Sequence, residues 1–69
     1  MNSIDVVING NPTQTGAGTL LALLQERAMA LDAAFACAIN NTFVPRPQWP
    51  ERPLVAGDRI DIVAPITGG

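Results

Sequence analysis

The sequence predicts a small α+β roll: a hairpin, a helix crossing one sheet face, and a return hairpin with a last strand. Three observations predict it. Apolar residues alternate at period two in three places, as Ile4, Val6 and Ile8, as Phe35, Cys37 and Ile39, and as Ile60 and Ile62. One stretch, "TLLALLQERA", instead carries a broad leucine face of strong helix formers. Turn signals punctuate these segments at Asn9-Gly10, Asn40-Asn41 and Gly57-Asp58.

The first strand is read in "SIDVVIN", residues 3–9, with Asp5 and Val7 on the face opposite the isoleucines. Asn9-Gly10 follows at once and suits a type I′ turn, which needs positive φ at both central residues. A short second strand is expected from Asn11 to Thr15. Pro12 cannot donate to a ladder, so that strand sits at an edge or starts late. Thr19 is a suitable N-cap for a helix running from Leu20 to about Ala28. A helix this short needs a sheet to lie on. Its end is not marked, because "AMALDAA" offers no glycine stop.

"AFACAIN", residues 34–40, reads as the third strand. Asparagine tolerates the left-handed region, so Asn40-Asn41 opens a second hairpin into a strand at Thr42–Val44. The segment "PRPQWPERP" holds four prolines in nine residues, which excludes regular strand or helix. Trp49 is expected to fold this loop onto the core. The fifth strand carries Ile60 and Ile62 on one face, and Pro65 stops its ladder and releases a tail.

Composition narrows the function. With 69 residues the chain makes one domain, 1–69, of which 65–69 are expected to form a flexible C-terminal tail. An apolar content of 48% excludes a disordered segment. Apolar runs such as "TLLALL" are too short to span a membrane, and no signal peptide is evident, so a soluble cytoplasmic domain is expected. The net charge is −2, and the four basic residues, Arg27, Arg46, Arg52 and Arg59, are scattered, which argues against nucleic acid. With no histidine and one cysteine, neither a zinc ligand cluster nor the usual general base can be assembled, and no metal is expected. Cys37, at an alternating apolar position, reads as a buried small hydrophobe rather than a sulfur-relay thiol. Arg46 is a candidate for contact with a partner, or else a solvated charge in the proline-rich loop. Ile66 and Thr67 are further candidates, because they precede the final Gly68-Gly69.

That closing pair asks for a reason. Glycine has the greatest backbone freedom and is a poor residue on which to finish a strand or helix. By composition alone two glycines would fall at such a place in roughly one chain in 200, so the pair is weak evidence by itself.

Joined to the rest, it is stronger. "VVING", "TLLALL", "AINNTFVPRPQW" and "LVAGDRIDIVAPITGG" run nearly end to end through the chain. Together they resemble the ubiquitin-like β-grasp superfamily, and within it the ThiS family of sulfur carriers of thiamine biosynthesis. Asn41 stands where glycine is common in that family, and "ERAMALDAA" matches only loosely. The resemblance implies a β-grasp roll, with a mixed sheet of about five strands and one main helix across one face. It also implies a carrier without turnover of its own and without a bound cofactor. An E1-like, ThiF-like adenylating enzyme would use ATP to adenylate the Gly69 carboxylate. A sulfur donor such as a cysteine desulfurase would supply the atom that turns it into a thiocarboxylate. A ThiG-like thiazole synthase would then take that sulfur.

Physical chemistry fits this scheme. A carboxylate is a poor electrophile until it gains a leaving group, and to gain one it must reach the α-phosphate of ATP at about 3–3.5 Å and in line. A folded domain is too bulky to enter such a site. A tail ending in Gly68 and Gly69 is thin and leaves the terminal carbonyl unobstructed. Two other readings use the same tail: the carrier subunit of molybdopterin synthase, and a ubiquitin-like modifier that forms isopeptide bonds. A non-covalent β-grasp binding module would not need the tail.

Overall fold

The computed structural model describes residues 3–29 and 34–63. The chain runs β1 (Ile4–Ile8), β2 (Asn11–Thr15), α1 (Leu20–Glu26), β3 (Ala36–Ile39), β4 (Thr42–Val44), a single 3₁₀ turn (Arg46–Gln48) and β5 (Arg59–Val63). The five strands form one sheet in the order β2-β1-β5-β3-β4. β5 lies at the centre, parallel to β1 and antiparallel to β3, so the sheet is mixed. Pro12 sits on the edge strand β2, where its missing N–H costs no interior ladder bond.

Both hairpins turn as their sequences require. Asn9 and Gly10 have φ of 49° and 84°, and Asn40 and Asn41 have φ of 53° and 68°. Asparagine and glycine bear these values at little cost, and the primed turn matches the right-handed twist of the strands it joins.

One face of the sheet is covered. Val6, Ile8, Cys37, Ile39, Val44 and Ile60 bury their side chains against Leu20, Leu23 and Leu24 of α1 and against Trp49 and Leu54. The period-two pattern of the strands and the leucine face of the helix thus meet in one core. Ile4, Phe35 and Ile62 are partly buried at its margin.

The proline-rich segment positions the helix. The first N–H groups of a helix lack partners within it. Here the amide of Leu20 donates to the Arg52 carbonyl (2.9 Å) and that of Leu21 to the Trp49 carbonyl (3.0 Å). The Thr19 hydroxyl caps the amide of Ala22 (3.2 Å), as its sequence position suggests. Prolines exclude long regular structure there, but they permit the 3₁₀ turn. Pro45 precedes that turn, and Pro47 lies inside its first residues, where no helical N–H is needed.

The helix ends earlier than the sequence suggests, at Glu26 rather than near Ala28. Ala28 takes φ of 58°, its amide donates to the Gln25 carbonyl (3.0 Å), and the amide of Met29 donates to the Leu24 carbonyl (3.1 Å). This is a Schellman stop with alanine where glycine is usual. The third strand is also shorter than residues 34–40, and begins at Ala36.

Candidate functional site

Four of the residues singled out in the sequence, Ile66, Thr67, Gly68 and Gly69, lie outside the described residues, as does the segment 65–69 expected to be a flexible tail. The site is therefore built from the root of that segment, the end of β5 at Val63, and from what surrounds it.

β5 is held on both sides. On the β3 side its pairing runs to the last residue, with Val63 opposite Ala36. On the β1 side the ladder stops at Ile8 opposite Ile60. Two asparagine side chains extend the pairing of β5, Asn9 on the β1 side and Asn40, which follows β3, on the other. The Asn9 amide accepts from the Ile62 N–H (2.8 Å) and donates to the Ile62 carbonyl (3.3 Å). The Asn40 amide accepts from the Arg59 N–H (3.0 Å) and donates to Asp58 Oδ1 (3.1 Å). Asp58, only 3% exposed, also takes the Val55 N–H on Oδ2 (2.9 Å). Sequence reasoning took Asn9 and Asn40 for turn formers alone. The available signal was the choice of asparagine over glycine at the first turn position, since only asparagine brings an amide there.

Alternation on β3, β4 and β5 puts Ala36, Ala38, Phe43, Asp61 and Val63 on the face away from the helix. Phe43 and Val63 are 64% and 62% exposed, so this outer face carries large apolar side chains where polar ones would be ordinary. Ala34, Phe35, Ala36, Arg46 and Val63 line a shallow, open depression beside the end of β5. Arg46 is thus brought beside the end of β5, and it is not a free solvated charge. Its guanidinium lies over the Trp49 ring (4.5 Å to the centroid) and the Phe35 ring (5.3 Å), and Nη2 reaches the Phe35 carbonyl (3.4 Å).

Cys37 points the other way, into the core, and is 1% exposed. Burial pushes its thiol pKa up, and the positive charge of Arg46 offsets this only in part. A protonated, enclosed thiol is the reverse of what a sulfur relay needs. Among the described residues no group of three or more histidine, cysteine, aspartate or glutamate side chains is placed to hold a metal. No helix among them is long and apolar enough to cross a membrane.

A central β5 running out of a mixed five-stranded sheet, with one helix across the opposite face, defines a ubiquitin-like β-grasp domain. The crystal structure of a thiamine biosynthesis protein (ThiS) from Geobacter metallireducens superposes with a TM-score of 0.81 at 20% identity, over 96% of this chain and all of that one. The solution structure of a thiamine biosynthesis protein from the same organism gives 0.76 at 17% identity, over 96% of this chain and 88% of that one. In sequence, the sulfur carrier protein ThiS of Escherichia coli K12 is 33% identical over 66 residues, covering 96% of this chain and all of that protein. The model of the ThiS family matches residues 6–69, and the chain belongs to that family.

Proposed function

We propose that the chain is a sulfur carrier protein of thiamine biosynthesis, whose Gly69 carboxylate is adenylated and then converted to a thiocarboxylate. The observation that carries this reading is the family match, which runs through the final residue and so includes Gly68 and Gly69. The architecture supports it. The segment that would do the chemistry follows directly on the central strand, which is paired on both sides. A folded body whose sequence closes on two residues without side chains suits delivery of an acyl group into another protein's active site. The protein is a co-substrate here, not a catalyst.

A carrier of this kind needs partner enzymes for activation and for sulfur transfer. In this reading the first is an E1-like adenylating enzyme, which binds the ATP. The sulfur comes from a donor such as a cysteine desulfurase, and a thiazole synthase receives it. No bound cofactor is required of the carrier. Whatever site admits Ile66 to Gly69 must bring its mouth against the root of the tail. The apolar outer face with Val63, Phe43 and Ala36, and Arg46 at its margin, is the surface that meets it. Exposed apolar area of this kind marks contact surfaces.

Complementation tests the reading. The full chain should restore growth without thiamine to a bacterium lacking its own carrier, and the chain without Gly68 and Gly69 should not. Rescue by the shortened chain contradicts the proposal. Rescue only of a strain lacking the molybdopterin synthase carrier, or conjugates on target lysines, would instead favour the other tail-dependent functions.

A further inference from the structure

β1 turns away at Asn9-Gly10, while β5 runs on to Val63. The last main-chain bond between them goes from the Asn9 amide to the Ile60 carbonyl (2.9 Å). A longer parallel neighbour would next pair with the N–H and C=O of Ile62. The Asn9 side-chain amide occupies that place, with one acceptor and one donor on the same residue, and so stands in for a peptide unit of the missing strand. It holds β5 one residue short of the strand's end.

Resting on the carrier reading above, we propose that Asn9 is a positioning residue for the C-terminal chemistry: it fixes the direction in which the chain leaves the sheet. Without it, Ile62 and Val63 keep only the β3 side of their pairing. They would then have to be ordered in each encounter, after the body has docked. Ordering one or two residues costs enough to lower the productive fraction of complexes about tenfold. Small displacements of a reacting group carry similar or larger penalties. The docking face is untouched, so the loss should fall on kcat and leave KM alone.

The test uses the full chain, ATP and the E1-like adenylating enzyme from the same genome, with pyrophosphate exchange followed as a function of carrier concentration. Asn9→Gly keeps the positive φ of the turn and removes the amide. Asn9→Asp keeps the acceptor and removes the donor. The proposal expects a kcat about tenfold lower for Asn9→Gly, an intermediate value for Asn9→Asp, and KM within twofold of the parent for both. Amide exchange should accelerate at Ile62 and Val63. Gly57→Ala, which strains a turn at the far end of β5 without touching the clamp, should keep the parental kcat. An unchanged kcat in Asn9→Gly overturns the proposal, as does an equal loss in Gly57→Ala. If the parent chain itself is not adenylated, the carrier reading falls and this inference with it, an outcome distinct from failure of the variants alone. Should Asn9→Gly not fold, the kcat of Asn9→Asp and its exchange at Ile62 decide.

Discussion

Arg46 and Trp49 are stacked, the guanidinium carbon 4.5 Å from the centre of the indole ring. Phe35 packs against the same ring at 5.1 Å and 22°. The indole Nε1 donates to the Val44 carbonyl (3.0 Å), which ties the proline-rich loop to the end of β4. Arg46 thus serves the loop's structure as well as the margin of the outer face. Arg46→Ala should lower stability by roughly 0.5–1 kcal/mol, the usual range for an exposed cation–π contact. Trp49→Ala should cost about 3–5 kcal/mol through the emptied core position. Urea unfolding of both variants checks the ranking.

Ala28→Gly should stabilise the protein. Alanine at φ of 58° is strained, and glycine is not. Against that, glycine gains freedom in the unfolded chain, so the expected net gain is about 0.5–1 kcal/mol. The converse holds at Gly10 and Gly57, whose φ of 84° and 90° should make alanine unfavourable by about 1 kcal/mol although nothing obstructs its Cβ. Thermal midpoints of the three variants should therefore move in opposite directions.

Asp58→Asn is nearly isosteric and should still destabilise by roughly 1–3 kcal/mol. Both carboxylate oxygens receive an N–H, from Asn40 and from Val55, and an amide would turn its own NH₂ toward one of those donors. Chemical denaturation of Asp58→Asn, Asn40→Gly and the double variant should show strong coupling between the two sites.

Cys37 should resist alkylation in the folded protein and react freely in denaturant. Its thiol pKa is raised by burial, so the folded state disfavours the thiolate. Above the ordinary thiol pKa of about 8.5, the unfolded chain loses that proton while the folded chain keeps it. The unfolded state then binds fewer protons, and stability falls as pH rises through this window; below it the contribution is complete. Cys37→Ala should lack that alkaline decline and should still accept sulfur at its C-terminus.

The sequence made the order of elements legible, because period two, the leucine face and the asparagine turns all agreed. The edge position of β2 was one of the two arrangements Pro12 allows, and the burial of Trp49 followed from the need to anchor a proline-rich loop. The helix end was hidden because Ala28 does the work of a glycine. The clamps of Asn9 and Asn40 were hidden for a different reason: each joins residues far apart in the chain, Asn9 to Ile62 and Asn40 to Asp58 and Arg59, and local patterns carry no such information. Arg46 was recognisable as a candidate for partner contact, but its stacking depends on where the chain places Phe35 ahead of β3.

The most direct measurement is the intact mass of the full chain, with fragmentation to place any change, after incubation with ATP, the adenylating enzyme and a sulfur donor. The account predicts an increase of about 16 Da, oxygen replaced by sulfur, confined to Gly69. A C-terminal fragment of unaltered mass, or sulfur found on Cys37 instead, would contradict it.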